Sequence, residues 1–128
     1  MQGQHFERYI MKKFLMIFAA VLMMTNVANS ATINGKKVFK KCTACHSFKK
    51  NKIGPSLGNI FGEKAGSVKK FRYSKAMKKS DIIWDDCTLD KFLTKPKKFI
   101  KGTKMNFSGL KKKSHRDALI KYIKENQK

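Results

Sequence analysis

Apolar residues recur at helical spacing in three short segments of the chain, and long glycine-punctuated loops separate these segments. Helices are predicted from Thr32 to about Cys42, from Thr88 to about Lys95 and from Ser114 onwards, with a weaker helical turn at Ser74–Lys79. Pro96 is expected to end the second helix, and Ser114 with Asp117 has the spacing of a capping box at the start of the third. Since no alternating run is long enough for a strand, the pattern predicts an all-α fold.

The first 30 residues have the pattern of a secretory signal peptide. A short basic segment precedes an unbroken apolar run of 11 residues from Phe14 to Met24, and small residues follow up to Ser30. A membrane anchor is the alternative, but a helix needs about 20 apolar residues to cross a bilayer. We therefore expect residues 1–30 to be a cleaved signal peptide, with Met11 as an alternative start, and residues 31–128 to be one mature domain in the periplasm.

The chain has 128 residues and a formal net charge of +22, which allows one small domain and excludes a multi-domain enzyme. Its hydrophobic content of 41% excludes a disordered polycation. Without residues 1–30 the chain keeps 27 of its 30 basic and 7 of its 8 acidic residues, a net charge of +20, and only Arg72 and Arg116 are arginines. Because lysine is a mobile, hydrated point charge, this composition favours salt-sensitive docking to acidic proteins over a nucleic-acid site or stable membrane insertion.

Cys42, Cys45 and His46 form a Cys-x-x-Cys-His motif, which is the signature of covalent c-type haem attachment. Cysteines three residues apart can form thioethers with both vinyl groups of one porphyrin edge, and the adjacent histidine can bind the iron. The alternatives are a plain disulfide, a thioredoxin-like redox pair, which lacks its strand–helix context, and half of a zinc site, which lacks a second ligand pair. A haem would also fill a core that three short helices cannot build alone.

The second axial ligand of the iron has three candidates in residues 31–128, namely Met77, Met105 and His115. Met105 follows Gly102 in a loop, where glycine frees the backbone to bring a side chain across the haem face. Met77 falls in the weak helical turn, where apolar packing is the simpler role, and His115 falls in the first turn of the last helix. We therefore expect His46 and Met105 to ligate the iron, which leaves no position for oxygen or peroxide and favours an electron carrier over a peroxidase.

Further motifs extend this pattern over most of the chain. They are Gly35-Lys36-Lys37-Val38-Phe39, Gly54-Pro55-Ser56-Leu57, Tyr73-Ser74, Ile82-Ile83-Trp84, Pro96-Lys97-Lys98-Phe99-Ile100, Gly102-Thr103-Lys104-Met105 and Leu119-Ile120-Lys121-Tyr122. In this order, together with Cys-x-x-Cys-His, they resemble class I cytochrome c, the mitochondrial type and its bacterial relatives. The resemblance spans Gly35 to Ile123 and implies a small single-domain fold, with three main helices and loops wrapped around one covalently bound haem c.

The resemblance also implies roles for single residues. Gly35 on the first helix is expected to allow a close crossing with the last helix. The carbonyl of Pro55 should accept the second ring N–H of His46 and so fix the orientation of this ligand. Tyr73 and Trp84 should hydrogen-bond a buried haem propionate.

Some positions depart from the family pattern. Phe92 stands where the mitochondrial pattern has a tyrosine that touches the axial methionine. Glu63 stands where an arginine helps to hold a propionate, a charge that Arg72 is expected to replace. Met77 stands in place of an internal asparagine, and Lys101 stands in place of a proline.

Cys87 has no role in the haem motif. It falls at the start of the second helix, where a small polar residue can cap the helix, but an odd cysteine in an exported protein can also pair with a second chain. We expect the capping role and a monomeric protein.

The resemblance implies a soluble one-electron carrier that shuttles electrons from a cytochrome bc complex to a terminal oxidase, and not an enzyme. A dedicated electron acceptor of a periplasmic dehydrogenase is the nearest alternative. Lysines of the motif regions are expected to ring the exposed haem edge and to steer it onto acidic docking patches of membrane redox complexes. These lysines are Lys40, Lys41, Lys97, Lys98 and Lys104.

Overall fold

Five helices joined by loops form the fold of residues 32–128, the part of the chain that the structure, a computed structural model, describes. They are α1 (Gly35–Phe39), α2 (Lys75–Lys78), α3 (Asp86–Thr94), α4 (Pro96–Phe99) and α5 (Lys113–Glu125). Within this range no strand forms beyond an isolated bridge between Lys64 and Ile83, which confirms the predicted all-α class. No helix of this range is long and apolar enough to cross a membrane. The predicted signal peptide lies outside the described residues.

Helix α1 begins three residues later than predicted from the sequence. The side chain of Asn34 accepts a hydrogen bond from the backbone N–H of Lys37 at 3.2 Å, so Asn34 caps the helix and Thr32 lies outside it. The helix ends at Phe39, and hydrogen-bonded turns continue the chain through Cys45. The haem motif therefore follows the helix as a series of turns.

Helices α1 and α5 cross closely at Gly35, as the resemblance implies. A Cβ atom at Gly35 would overlap the carbonyl oxygen of Ala118 and approach the Cβ of Tyr122 to 2.7 Å. Beside this crossing, the rings of Phe39 and Tyr122 lie 5.4 Å apart, and Leu119 is completely buried. The absence of a side chain at Gly35 is therefore what lets the two helices close one side of the core.

Helix α3 is capped by Asp85, whose side chain accepts the backbone N–H of Thr88 while the Thr88 side chain accepts the N–H of Asp85. The capping role expected for Cys87 is therefore wrong, and its exposed thiol belongs to the first turn of the helix. The helix ends at Thr94, and Pro96 opens the short helix α4 after it. Proline has no N–H to lose at a first helical position, so it can end one helix and begin the next.

Helix α5 begins at Lys113, and Lys112 occupies the cap position without a side-chain hydrogen bond. The capping box predicted for Ser114 and Asp117 is therefore wrong. The carboxylate of Asp117 instead pairs with the ammonium group of Lys113 at 2.7 Å, across one helical turn. The weaker turn predicted at Ser74–Lys79 is confirmed as α2, which Ser74 caps through the N–H of Met77 at 3.1 Å.

Candidate haem site

One cavity of about 260 Å³ is lined by all the residues predicted to bind the haem. These residues are Cys42, Cys45, His46, Tyr73, Trp84 and Met105. They come from four separate stretches of the chain, and only the tertiary fold brings them together. Most of the remaining wall is apolar and is supplied by α3, α5 and the loops. The cavity thus combines a water-excluding lining with a few nitrogen and sulfur donors, as a buried cofactor site requires.

The turns after α1 bring Cys42, Cys45 and His46 to the same wall. The backbone N–H groups of Cys45 and His46 both donate to the carbonyl of Cys42, at 3.1 and 2.8 Å. Neither cysteine forms a disulfide within the described residues. Burial, followed by the neighbouring Cys45, raises the pKa of the Cys42 thiol to about 11. A redox-active pair needs a lowered thiol pKa, so this environment disfavours the thioredoxin-like alternative.

Pro55 and Gly54 hold the imidazole of His46. The hydrogen bond to Pro55 uses Nδ1 and not Nε2. The Nδ1 atom lies 2.8 Å from the carbonyl oxygen of Pro55, the contact that the resemblance implies. Gly54 lies flat against the ring, because a Cβ atom there would overlap Cε1 and come within 2.7 Å of Nε2. Burial lowers the pKa of His46, which keeps its imidazole neutral, and the neutral ring is the form that binds metals.

Met105 reaches the cavity from the loop between α4 and α5. Gly102 in this loop has φ of +92°, a left-handed conformation that favours glycine, as expected for the sharp turn before Met105. The backbone N–H of Met105 donates to the hydroxyl of Thr103 at 3.2 Å, and the Lys97 ammonium donates to the side chain of Asn106 at 2.9 Å. These bonds hold the loop on both sides of Met105.

The other two candidates for the second axial ligand occupy different places. Met77 is 8% exposed on α2 and also lines the cavity, where it belongs to the apolar core. His115 lies on α5 and is not among the residues that line the cavity. The structure therefore removes His115 from the set and leaves two methionines on the cavity wall.

Tyr73 and Trp84 stand on a wall built from neighbouring loops. Trp84 is 7% exposed, and its backbone is paired with the chain around Glu63, whose carbonyl accepts the Trp84 N–H at 2.9 Å. The ring of Tyr73 packs edge-on against Phe71 at 4.8 Å, and burial raises the pKa of its phenol. Both side chains thus bring a polar group to a largely apolar lining, which suits recognition of a carboxylate.

Three of the four departures from the family pattern, Glu63, Met77 and Phe92, line the same cavity. Phe92 lines it and packs against Trp84 with ring centroids 5.1 Å apart. Glu63 also lines it and is the one acidic residue of the described lining. Arg72 is exposed and does not line the cavity, so the expectation that it replaces the missing arginine there is wrong.

Two residues that support the site were not assigned this role from the sequence. Gly54 packs on the imidazole of His46, and its N–H donates to the carbonyl of Cys45 at 2.7 Å. The ammonium group of Lys52 donates to the carbonyl of Thr43 inside the haem motif. The Gly-Pro pair at 54–55 was the available signal for the first, whereas an exposed lysine in a lysine-rich loop gives no signal for the second.

The donors on this wall fit a haem of the c type. Two cysteines three residues apart, neither of them in a disulfide within the described residues, precede a histidine whose Nδ1 is already hydrogen-bonded, and Gly54 provides a flat cradle that any side chain would fill. One imidazole and one thioether in an apolar cavity are an axial ligand set typical of cytochromes. The arrangement can therefore hold an iron that changes charge by one electron away from water.

Comparisons with known proteins agree with this site. The family model "Cytochrome c" matches residues 33–127. Cytochrome c2 of Afifella marina is 46% identical over 96 residues, covering 70% of this chain and 77% of the relative, and cytochrome c of Gibberella zeae is 47% identical over 98 residues, covering 73% and 92%. The solved structure of cytochrome cH from Methylobacterium extorquens has 42% identity and a TM-score of 0.70, and covers 71% of this chain and 94% of that one. The chain belongs to the cytochrome c family, whose members carry electrons on covalently attached haem c and are not enzymes.

Proposed function

We propose that this chain carries single electrons from a cytochrome bc complex to a terminal oxidase in the bacterial periplasm. The observation that carries the proposal is the single cavity that collects both motif cysteines, His46 and Met105 from distant parts of the sequence. In the proposal, Cys42 and Cys45 attach the haem, and His46 and Met105 ligate its iron. The bound haem supplies a centre that accepts and donates one electron.

The neighbouring residues hold His46 in one orientation before electron transfer takes place. The hydrogen bond from Nδ1 to Pro55 fixes the tautomer of His46, so that Nε2 is available as the ligand atom. Gly54 leaves room for the imidazole in this orientation, because any side chain there would collide with the ring. A ligand that does not reorganise lowers the cost of changing the charge on the iron, which suits rapid electron transfer.

Met105 is proposed to set the reduction potential of the haem iron. A thioether ligand stabilises the reduced iron and raises the potential. Met105 is favoured over Met77 because its loop is tied on both sides by Thr103 and Asn106, whereas Met77 packs within the apolar core on α2. Tyr73 and Trp84 are proposed to hydrogen-bond a haem propionate, which is supported by their place on the cavity wall.

The proposed docking surface is the lysine ring, defined as Lys40, Lys41, Lys97, Lys98 and Lys104. All five are exposed, and Lys41 and Lys104 also line the haem cavity. None of them forms an ion pair with another described residue, so their charge is available to a partner. Acidic patches on the membrane redox complexes are the proposed counterpart.

Periplasmic location rests on residues 1–30, which we propose to be a signal peptide removed after Ser30. The apolar run from Phe14 to Met24 is the feature that supports this. Mass spectrometry of the protein from a bacterial periplasm should find a chain that begins at Ala31 and carries one haem. A full-length chain retained at the membrane would contradict the proposal.

A visible spectrum of the oxidised and reduced holoprotein tests the ligand set. Wild type should show the haem c bands and the weak far-red band of methionine bound to ferric iron. Met105→Leu should lose the far-red band, and the matched variant Met77→Leu should keep it. Loss of the band in Met77→Leu alone would assign the ligand to Met77, and absence of haem from a host that attaches it would overturn the whole proposal.

A further inference from the structure

The end of the chain binds a loop that is distant from it in sequence. Beyond the end of α5, the half-buried side chain of Gln127 contacts residues 57–61, which we call the 57–61 loop. Its amide oxygen accepts the backbone N–H of Ile60 at 2.7 Å and that of Phe61 at 3.3 Å. Its amide nitrogen donates to the carbonyl of Leu57 at 2.9 Å. One side chain therefore binds three backbone groups of the 57–61 loop.

The amide of Gln127 is itself anchored to α5. Its nitrogen also donates to the carbonyl of Ile123 at 2.8 Å, within the last turn of the helix. The next residue adds a backbone contact, because the N–H of Lys128 donates to the carbonyl of Gly58 at 2.8 Å. The 57–61 loop is therefore attached to the end of α5 through both side-chain and backbone hydrogen bonds.

The opposite side of the 57–61 loop contacts the segment that follows the haem motif. The N–H of Leu57 donates at 2.9 Å to the carbonyl of Ser47, the residue directly after His46. A Cβ atom at Gly58 would overlap the carbonyl oxygen of Phe48, so the two backbones lie close together. The 57–61 loop therefore lies between the end of α5 and the segment next to the histidine ligand.

Leu57 connects the Gln127 contact to the hydrogen bond of His46. Its carbonyl is bonded to Gln127 and its N–H to Ser47, so its backbone is held from both sides. Two residues earlier, the carbonyl of Pro55 accepts the Nδ1–H of His46 at 2.8 Å. A shift of Leu57 would move this carbonyl relative to the imidazole, because only Ser56 separates the two residues.

We propose that Gln127 is a positioning residue for His46: it acts through the 57–61 loop to keep the carbonyl of Pro55 within hydrogen-bond distance of Nδ1. The inference rests on the proposed function, in which His46 ligates the haem iron. A strong hydrogen bond at Nδ1 makes the imidazole a more basic ligand, and a more basic ligand favours the ferric state. Loss of the Gln127 amide should weaken this bond and raise the reduction potential.

Spectroelectrochemistry of the holoprotein measures the potential. Gln127→Ala should favour the reduced form about threefold, a rise of about 30 mV, because a tenfold change in a one-electron equilibrium corresponds to about 59 mV. In NMR spectra of the reduced protein, the His46 Nδ1 proton should move upfield as its hydrogen bond weakens. The matched control Asn126→Ala removes the neighbouring amide, which donates to the carbonyl of Tyr122 within α5, and should leave both values close to wild type.

Two further variants separate positioning from a general loss of stability. Gly35→Ala destabilises the crossing of α1 and α5, at a site away from the 57–61 loop, and should leave the potential and the Nδ1 proton unchanged. Gln127→Leu keeps about the same side-chain size without the amide, so it provides a second measurement where Gln127→Ala does not fold. It should shift both values in the same direction as Gln127→Ala.

Equal shifts in Gly35→Ala and the Gln127 variants would overturn the inference, because they would show a merely structural role. An unchanged or lowered potential in the folded Gln127 variants, with the Nδ1 proton at its wild-type position, would also overturn it and would leave the proposed function intact. A wild-type NMR spectrum without haem-shifted signals of the His46 ring would contradict the proposed ligation itself, and the inference with it.

Discussion

The guanidinium of Arg116 donates to the carboxylate of Asp90 at 2.7 Å and thereby joins α5 to α3. The same guanidinium donates to the carbonyls of Leu110 and Lys111 at 2.8 and 2.9 Å. These two carbonyls end the loop that carries Met105, and the N–H of Leu110 is bonded to α3. Arg116 is 7% exposed, so one buried cation holds two helices and the end of the methionine loop together.

Arg116→Met should lower the free energy of unfolding of the holoprotein by about 3 kcal/mol, because it leaves a carboxylate and two carbonyls without their donor. Urea unfolding followed by circular dichroism measures this loss. Lys113→Met is the control, since it breaks the exposed pair with Asp117, whose loss should have a much smaller effect. Equal losses in the two variants would show that Arg116 does not anchor the loop.

Gly54→Ala should disturb the histidine ligand, because the new Cβ would overlap the imidazole of His46. Gly35→Ala also creates an overlap, with the carbonyl of Ala118 at the helix crossing, and should cost about 1–3 kcal/mol of stability. Comparison of the two variants therefore distinguishes an effect on the histidine ligand from an effect on the stability of the fold. The visible spectrum of the folded protein should change in Gly54→Ala and not in Gly35→Ala; an unchanged spectrum in Gly54→Ala would contradict the cradle role.

Local sequence signals predict most of the helices but not all of the residues that begin and cap them. The sequence indicates Pro96 as the end of a helix, and Pro96 also begins α4, because a proline fits both positions. Ser114 and Asp117 have the spacing of a capping box, yet Asp117 pairs with Lys113 instead, since charge attraction competes with the cap. The spacing of a capping box alone does not show that an ion pair will compete with the cap.

Contacts between distant segments were predictable only where the family resemblance supplied them. The bond between Pro55 and His46 was expected in this way. The side chain of Gln127, which donates to the Leu57 carbonyl at 2.9 Å and accepts the Ile60 N–H at 2.7 Å, was not expected. A single polar residue such as Gln127 belongs to no periodic pattern, so the sequence does not indicate which loop its side chain contacts.

The double variant Cys42→Ala/Cys45→Ala should be largely unfolded, since the core surrounds a cavity of about 260 Å³ that the attached haem is expected to fill. Far-ultraviolet circular dichroism of the purified chain measures the loss of helix. Cys87→Ser is the matched control, because Cys87 is exposed and lies outside the cavity lining. A folded double variant would show that the protein core does not depend on covalent haem.

The hydrogen bonds at the start of α3 make part of the stability dependent on pH. The backbone N–H of Thr88, and then its hydroxyl, lower the pKa of Asp85 below its usual value. A carboxylate with a lowered pKa stabilises the folded state above its unfolded pKa, and this contribution is lost as the pH falls through the folded pKa. Asp85→Ala should therefore have a lower Tm than wild type at pH 7, and the two Tm values should converge in acid. A constant difference at every pH would contradict this origin.

Electron transfer from the reduced protein to a terminal oxidase should slow steeply as salt is added. The range of electrostatic attraction falls from about 30 Å at 0.01 M ionic strength to about 8 Å at 0.15 M, so the lysine ring loses its steering effect. Lys98→Glu should slow the second-order rate at low salt by about tenfold, whereas Lys121→Glu, which makes the same charge change on α5, should have a small effect. Stopped-flow oxidation measures both rates. A flat salt profile, or equal effects of the two variants, would contradict docking through the lysine ring. Fast salt-dependent reduction by a periplasmic dehydrogenase, with none by a cytochrome bc complex, would support docking through the lysine ring. It would also identify the dehydrogenase, and not the cytochrome bc complex, as the electron donor.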